Sequence, residues 1–492
     1  MKVLLINAGS YYVMQKTVIP LGLLSMATLL NENSHEVMIY DRAVQGVRIE
    51  KILNAFKPDL VGISALTFGS FKDAIKVSQK VKKYGLPVIW GGQVPSLVPE
   101  IVLSEDNVDC LVIGDGEFAL LDLIEAFGSG RSLDEVEGIA YKKNGEIVYT
   151  KPRELRDLAD FPLIDWSFVD PTKYFISNVS CEKVLHVYAS KGCPGQCTYC
   201  YNTCFNKRKW RPRPLEHVVD EISRLVSDYG ADGIYFADDL MSPNKKYLEK
   251  FCTTIKDSNL SFYWGCNMRA DILSRGELKL MYDSGCRWIF FGIESGSEAR
   301  QKSIKKNLNL NNAQETMVWC NEIGIVSTTS FIVGYPGETV EELKETVKYM
   351  LELASDVKVG SNYGVIPKSE MYDYLLETGK IEKPKTLKEW EKLAGMDKKG
   401  EHFSLATPLE KRVVVNRFLY MIMATKTKKT EKHSRFWFRR LVKQTLDLSV
   451  TKNLKSLVLI FISAKQFLEI MFYSQLFPGI LKKYGLAGQR KK

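Results

Sequence analysis

Long apolar runs and a secretory signal are both missing from this sequence of 492 residues. A membrane-spanning helix needs about 18 or more apolar residues in a row, whereas the longest candidate stretch, 457–464, is soon broken by Lys465 and Glu469. The apolar run in residues 1–7 is too short to form a secretory signal. Its pattern is typical of a first β-strand. These absences predict a cytoplasmic protein.

Cysteine is scarce as well, with ten residues in the whole chain, and a disulfide scaffold is therefore excluded. Six of the ten stand apart without the spacing of metal ligands, which is typical of small apolar core residues. These six are Cys110, Cys181, Cys252, Cys266, Cys286 and Cys320. The crowding of the others indicates metal chemistry in a reducing compartment.

Three cysteines are spaced C-x3-C-x2-C in the stretch Cys193-Pro-Gly-Gln-Cys197-Thr-Tyr-Cys200, just after an apolar run. Thiolates are the usual ligands of iron–sulfur clusters, and a four-iron cluster with a full protein set has four. Three ligands leave one iron free to bind a small molecule. Zinc is the main competitor, although zinc sites normally show two groups of paired ligands, often with His. Spacing alone leaves two further alternatives open. Cys204 could be a fourth ligand, or the three cysteines could lie close together by chance.

The composition is that of an ordinary globular protein, with 45% hydrophobic and 26% charged residues, and the length suggests two to four domains. The formal net charge is +10, and residues 426–440 contain seven Lys or Arg and one Glu. Such an excess suits nucleic acid, acidic lipid or an anionic substrate, and it is equally typical of a solvated surface.

Residues 1–150 alternate between strand-like and helix-like patterns, which predicts βαβ units and a parallel sheet. Ligands of such sheets bind beyond the carboxyl ends of the strands. Small and polar residues follow three predicted strands, 60–64, 87–90 and 110–113, and glycine there lets the backbone approach a bulky ligand. The same loops are typical of any flavodoxin-like domain without a ligand. The candidate residues are Ser64, Thr67, Gly91, Gly92, Gly114 and Glu117.

A turn-rich connector is predicted for residues 151–185, and a short hairpin precedes it at 138–145. Strand and helix patterns then alternate again in residues 186–380, which predicts a second parallel α/β unit. Its predicted strands are 233–237, 262–267, 288–293 and 330–334.

The order of motifs in this second unit resembles that of the radical-SAM enzymes, which use S-adenosylmethionine (SAM). Residues 1–150 resemble the cobalamin-binding domain that precedes the barrel in many of them. The matching stretches of the front domain are Pro20-Leu-Gly-Leu, Lys57-Pro-Asp-Leu-Val-Gly-Ile-Ser, Gly91-Gly92 with Pro95, and Gly114-Asp-Gly-Glu117. Those of the second unit are the three-cysteine loop, Phe236-Ala-Asp-Asp239, Asn267-Met-Arg-Ala-Asp271, Phe291-Gly-Ile-Glu-Ser-Gly296 and Phe331-Ile-Val-Gly-Tyr-Pro-Gly-Glu338.

The implied fold is a flavodoxin-like (Rossmann-like) cobalamin-binding domain, then a partial (β/α)6 radical-SAM barrel, then a mostly helical region over residues 381–492. One departure concerns cobalamin. Domains that ligate cobalt from below carry an Asp-x-His-x-x-Gly motif, whereas His35 is the only histidine before residue 150. The resemblance therefore implies cobalamin without a lower histidine ligand, as in the class B radical-SAM methylases, and it leaves a degenerate domain without cobalamin as an alternative.

The resemblance also implies site residues. The cluster ligands are Cys193, Cys197 and Cys200, and the SAM-binding residues are Tyr199, Asp238, Asp239, Arg269, Glu294, Ser295 and Gly334. Each of these roles has a local structural alternative. Asp238 and Asp239 could instead cap the next helix, and Arg269 could instead form an ion pair with Asp271 or Glu294. A second departure is at residues 366–372, where Lys368 and Ser369 replace the Gly and Thr of the family.

Residues 381–492 match no shared motif. A basic segment beside an apolar helix suits an anionic membrane surface, and a helical cap on the barrel is the alternative. The absence of a recognised nucleic-acid module argues against nucleic acid.

The function that these features predict is a cobalamin-dependent radical-SAM enzyme, which methylates an unactivated carbon through a 5′-deoxyadenosyl radical. Its expected partners are a small-molecule or peptide substrate and an external electron donor of the flavodoxin or ferredoxin type. The alternatives are radical cyclisation or oxidative rearrangement without methyl transfer, and an iron–sulfur electron carrier with no enzymatic activity.

Overall fold

The computed structural model of the protein describes residues 1–9, 18–66, 68–178 and 180–393. Thr67 and the predictions made for residues 394–492 lie outside the described residues. Two sheets of mostly parallel strands account for the architecture of the described chain.

The first sheet has seven strands, of which five are parallel and two form an antiparallel edge. They are β1 (Lys2–Asn7), β2 (Glu36–Asp41), β3 (Leu60–Ser64), β4 (Val88–Gly91), β5 (Cys110–Val112), β6 (Ile139–Lys143) and β7 (Glu146–Tyr149). Their spatial order is β2-β1-β3-β4-β5-β6-β7. The predicted hairpin is β6–β7, and its turn residues Asn144 and Gly145 have φ values of 53° and 86°, as a type I′ turn requires.

Helices cover the first sheet, and every residue of β3 is buried, as expected for a strand covered on both faces. The helices are α1 (Leu21–Glu32), α2 (Ile49–Phe56), α3 (Phe71–Lys82), α4 (Gln93–Leu97), α5 (Pro99–Leu103) and α6 (Glu117–Ser129).

The second sheet has six strands that are all parallel, with a two-residue antiparallel pair beside it. The six strands of the sheet are β8 (Val184–Val187), β11 (Gly233–Phe236), β12 (Tyr263–Met268), β13 (Cys286–Glu294), β14 (Val326–Val333) and β15 (Val357–Asn362). The antiparallel pair consists of β9 (Ser190–Lys191) and β10 (Arg211–Pro212). The order β15-β14-β13-β12-β11-β8 does not close on itself. The predicted flavodoxin-like domain followed by a partial barrel is confirmed.

Helices alternate with the strands of the second sheet. They are α7 (Leu215–Ser227), α8 (Lys245–Asp257), α9 (Arg275–Asp283), α10 (Glu298–Ser303), α11 (Leu310–Ile323), α12 (Val340–Glu352), α13 (Glu370–Glu377) and α14 (Leu387–Leu393). None of the helices in the described ranges is both long and apolar enough to cross a membrane.

The two sheets face each other through their carboxyl edges. Lys191, which ends β9 shortly after β8, contacts Glu117 beyond the end of β5. Lys368, beyond β15, donates to the backbone carbonyl of Ser96, beyond β4. One hydrophobic core runs through both units and includes Leu123 of α6 and Val187 of β8. The edges at which ligands bind in α/β sheets are therefore brought together.

Candidate functional site

The three clustered cysteines lie on one closed loop, residues 192–210, which we call the cluster loop. The β9–β10 pair closes its base, with Lys191 opposite Arg211. Gly192 begins the loop with φ +90°, and a Cβ atom there would lie 2.1 Å from the carbonyl oxygen of Lys209. Only glycine fits such a backbone approach, so the base of the loop depends on Gly192.

The three thiols converge on one side of this loop. An added Cβ on Gly195 would lie 3.3 Å from the Cys193 sulfur and 3.9 Å from the Cys197 sulfur. Burial first, and then the charges of neighbouring groups that include Cys197 and Cys193, raise the pKa of Cys200 to about 12. As whole residues the three cysteines are partly exposed, whereas the six isolated cysteines are buried, as predicted.

The three thiols fit an iron–sulfur cluster by their chemistry, because thiolates are its usual ligands. Each thiolate of a cluster binds a different iron, so the sulfurs are spread around it.

Cys204 has a different environment. Its thiol lies 3.1 Å from the carbonyl oxygen of Tyr201, and it lines a cavity between the two domains. Burial raises the pKa of this thiol, and the Lys368 charge opposes that shift. This orientation gives no support to the alternative of a fourth ligand.

Asp238 and Asp239 both hold the base of the cluster loop. The buried Asp238 carboxylate accepts hydrogen bonds from the Ala189 amide, at 3.1 Å, and from the Ser190 hydroxyl. Burial raises the pKa of Asp238 to about 7. Asp239 accepts from the Gly192 amide at 3.1 Å and from the Tyr201 hydroxyl. Neither carboxylate caps the helix that follows, whose cap is Asn244.

A charged group lies beside the thiols, at the carboxyl ends of β12 and β13. Glu294 pairs with Lys306 at 3.0 Å, and both side chains are 10% exposed. Glu294 has φ +70°, a strained backbone of the kind that clusters at functional sites. A Cβ on Gly292 would lie 2.3 Å from the Glu294 Oε1 atom and 2.9 Å from the Lys306 Nζ atom, so Gly292 leaves room for the pair.

Arg269 joins this group through its guanidinium. It donates to both carboxylate oxygens of Asp271, at 3.0 and 2.9 Å, and to the backbone carbonyl of Lys306, at 3.0 Å. The pairing with Asp271, one of the two local alternatives, is thus present, and the side chain keeps 25% of its surface exposed. Sequence reasoning missed Lys306, which lies in a stretch of lysines with no distinguishing pattern.

The remaining predicted SAM-binding residues differ in accessibility. The Tyr199 ring lies 5.6 Å from that of Tyr335, and burial followed by the Glu294 charge raises its pKa well above the usual value. Ser295 is fully buried, with its hydroxyl 2.9 Å from that of Thr346. Gly334, with φ +80°, donates its amide to Glu338 at 2.6 Å.

The residues predicted to bind cobalamin in the first domain differ in their surroundings. Gly114 has φ +84°, and an added Cβ would meet nothing within 4 Å, so a ligand can approach its backbone. Gly92 has φ +108°, and its Cβ would lie 3.2 Å from the Ala65 carbonyl oxygen. That glycine therefore serves the packing of two loops. Ser64 is 9% exposed and Gly91 is half-buried, and the 2% exposed Glu117 pairs with Lys191.

A cavity of about 310 Å³ lies between the carboxyl edge of the first sheet and the cluster loop. Gly114 and Ser96 line one side, and Cys204, Phe205 and Lys207 line the other. Ser96 was not predicted. Its hydroxyl donates to the Gly92 carbonyl at 2.8 Å and accepts from the Gly114 amide at 3.0 Å, so it ties the two glycine loops together.

The second departure from the family pattern is at Lys368 and Ser369, beside the cavity. Lys368 has φ +58°, the left-handed conformation that a glycine would adopt there without strain. Its side chain lines the cavity, and Ser369 caps α13 by accepting from the Tyr372 amide. The lysine adds a positive charge between the domains.

Two family models match the chain. The radical SAM superfamily matches residues 187–350, and the B12 binding domain matches residues 13–124.

Curated proteins with similar sequences cover most of the chain. An uncharacterized methyltransferase of Pyrococcus horikoshii is 30% identical over 364 residues, which are 73% of this chain and 78% of the relative. An anaerobic magnesium-protoporphyrin IX monomethyl ester cyclase of Rubrivivax gelatinosus is 27% identical over 81% of this chain and 73% of the relative. Among solved structures, the radical SAM methyltransferase TsrM of Kitasatospora setae, with cobalamin and a [4Fe-4S] cluster bound, has a TM-score of 0.69 at 17% identity, over 87% of this chain and 90% of that one. That similarity shows a shared fold.

Proposed function

The chain belongs to the radical-SAM enzymes that carry a B12-binding domain before the barrel, and we propose that it methylates an unactivated carbon of its substrate. Its cofactors are a [4Fe-4S] cluster, SAM and cobalamin. The observation that carries the proposal is the cavity shared by the first-domain edge and the cluster loop, because methyl transfer needs cobalamin beside the site at which SAM is cleaved.

Cys193, Cys197 and Cys200 would hold the cluster, and its open iron would take the amine and carboxylate of SAM. When bound, the reduced cluster supplies the electron that breaks the carbon–sulfur bond of SAM, and cobalamin supplies the methyl group. Arg269 has exposed surface beside the thiols, so it is suited to the methionine carboxylate. Glu294 is suited to the ribose hydroxyls, with Lys306 fixing its carboxylate. Tyr199 and the Gly334 backbone would border the adenosyl group.

Asp238, Asp239 and Ser295 would act indirectly. Their polar atoms are engaged with the base of the cluster loop or with Thr346. We assign them to holding the loops that contact SAM. Asp239, which contacts both Gly192 and Tyr201 of the cluster loop, is in addition suited to accept from the methionine ammonium.

In the first domain, Gly114 and Ser96 would receive the nucleotide tail of cobalamin, since the cavity suits a group of that size and not the whole corrin ring. Ser64 and Gly91 would border the ring at the ends of β3 and β4. Lys368 adds a positive charge at the cavity wall, which suits the phosphate of the tail.

The face of the second sheet opposite the helices would take the substrate. Register places His186, Tyr235 and Gly265 in one row across β8, β11 and β12. The Tyr235 hydroxyl donates to Asn267 at 2.6 Å, and the Trp288 indole covers Gly265, whose Cβ would lie 2.2 Å from its Nε1 atom. This row carries aromatic and neutral polar groups, so we propose that the part of the substrate that enters here is uncharged.

Other partners complete the proposal. A flavodoxin- or ferredoxin-type protein would reduce the cluster, the substrate would be a small molecule or peptide, and the basic segment 426–440 would give peripheral contact with an anionic membrane.

Radical cyclisation without methyl transfer is the second candidate, and the similarity to the magnesium-protoporphyrin IX monomethyl ester cyclase favours it. The electron-carrier alternative has no such support, because the family consists of enzymes.

The experiment is anaerobic purification, cluster reconstitution and addition of hydroxocobalamin, with assays of 5′-deoxyadenosine and S-adenosylhomocysteine. Retained cobalamin and both products are expected. If 5′-deoxyadenosine forms without bound cobalamin, methyl transfer is excluded and the cyclisation candidate gains. A chain that binds no cluster would contradict the whole proposal.

A further inference from the structure

Four charged side chains meet where the two domains touch, and we call them the interdomain charge cluster. Lys191 and Arg211 come from the second domain, and Asp115 and Glu117 come from the segment between β5 and α6. The Lys191 Nζ atom lies 3.1 Å from Glu117 Oε1 and 3.5 Å from Asp115 Oδ1. The Arg211 Nη2 atom lies 2.8 Å from Asp115 Oδ2. Two positive and two negative charges therefore balance.

These charges are shielded from solvent. The exposed fraction of the side chain is 2% for Glu117, 10% for Arg211, 16% for Asp115 and 22% for Lys191. An ion pair at such a depth is costly to break on one side only, because the remaining charge stays buried without its partner. The Lys191 ammonium also lies 4.6 Å from the centre of the Phe161 ring, which belongs to the connector. The geometry of the group is thus fixed from several directions.

Each half of the interdomain charge cluster belongs to a loop with a cofactor role in the proposed function. Lys191 and Arg211 face each other across the β9–β10 pair that closes the cluster loop. Asp115 directly follows Gly114, which lines the cavity assigned to the cobalamin tail. Asp115 contacts both cations, so it joins the two ends of the cluster loop to the first domain at one point.

Apolar contact alone would hold the domains together without fixing their relative position, because the hydrophobic effect is not directional. Opposite charges at fixed positions are directional and specify one arrangement. We propose that Asp115 is a positioning residue, which sets the place of the cobalamin-binding edge relative to the iron–sulfur cluster. This inference rests on the proposed function in one respect, namely that the first domain binds cobalamin.

The first test needs no cofactor. Hydrogen exchange is measured on the full chain as purified without cluster or cobalamin, for the wild type, for Asp115→Asn and for Asp134→Asn. Asp134 is the matched control, since it forms an exposed ion pair with Lys143 inside the first domain. We expect residues 192–210 to exchange roughly tenfold faster or more in Asp115→Asn and to be unchanged in Asp134→Asn. Equal exchange in all three proteins would overturn the proposal, whatever the function of the protein is.

The second test uses the loaded protein, poised so that cob(II)alamin and the reduced cluster are both paramagnetic. The dipolar coupling between the two centres in the EPR spectrum reports their separation. We expect one narrow distribution in the wild type and in Asp134→Asn, and a broadened or shifted one in Asp115→Asn with the same iron and cobalamin content. Identical distributions would overturn the positioning role. A wild type that takes up no cobalamin would contradict the proposed function and this role together, while the exchange result on the domain contact would stand.

Discussion

Gly192→Ala is expected to prevent assembly of the cluster loop. The residue has φ +90°, and the new Cβ would lie 2.1 Å from the carbonyl oxygen of Lys209. A non-glycine residue in the left-handed region costs about 1–2 kcal/mol, and an overlap in a packed site costs a further 1–3 kcal/mol, roughly. The oxygen is a backbone atom of the same closed loop, so it can move only if the loop opens.

Gly230→Ala is the matched control within the same domain. Gly230 has φ +69°, but the nearest atom to its added Cβ is the flexible Lys183 Nζ atom at 3.8 Å. This variant carries the cost of the left-handed backbone without the overlap. We expect it to lose about 1–2 kcal/mol of unfolding free energy and to bind a full cluster.

The assay is iron and sulfide content after anaerobic reconstitution, with a thermal melt of the chain before reconstitution. Gly192→Ala should lose most of its iron and melt below the control, at about 2–4 °C for each further kcal/mol. If Gly192→Ala binds as much iron as Gly230→Ala and melts at the same temperature, then close packing at the base of the loop does not determine the site.

Three further predictions concern single side chains. Cys200→Ser should lose the cluster while Cys204→Ser keeps the iron content of the wild type, and equal losses would refute the three-ligand assignment. Glu294→Gln should slow formation of 5′-deoxyadenosine by about tenfold or more, with unchanged iron content, because it leaves the buried Lys306 charge unpaired. Burial lowers the pKa of His186 from 6.5 to about 4, so the unfolded chain binds the extra proton first, and stability is lost as pH falls between those values. The loss amounts to about 3 kcal/mol, and denaturation of His186→Phe across that range should lack it.

The parallel strands and the cysteine loop were predictable because both depend on local patterns. Buried strands such as β3 are continuous apolar runs, and the three cysteines are close in sequence. The start of β14 was missed because its first residues, 326–329, are mostly polar. Ser327 and Thr329 are buried with partners from the segment before β15, as in the 2.9 Å contact between the Thr329 and Ser355 hydroxyls. The strand β15 itself was not predicted.

The direction in which a side chain points was not predictable. Asp238 and Ser295 stand at strand ends, where a polar group can face either a ligand or a neighbouring backbone, and the sequence does not distinguish the two. Contacts between domains were also hidden, since Lys191 and Glu117 are 74 positions apart. Glu117 was predicted to bind cobalamin, with a ligand-free flavodoxin-like loop as the alternative, and its pairing with Lys191 could not be foreseen. The cobalamin roles of Glu117 and Thr67 stay predictions.

The most direct test of the methyl-transfer account is a labelling experiment with SAM that carries a CD3 group. The reduced holoenzyme is incubated with the labelled SAM. The bound cobalamin is then released in the dark, and its mass is measured by mass spectrometry. The account predicts cobalamin that carries the CD3 group, together with an equal amount of S-adenosylhomocysteine. Unlabelled cobalamin from a protein that still forms 5′-deoxyadenosine would contradict it and leave a radical enzyme that does not transfer methyl groups.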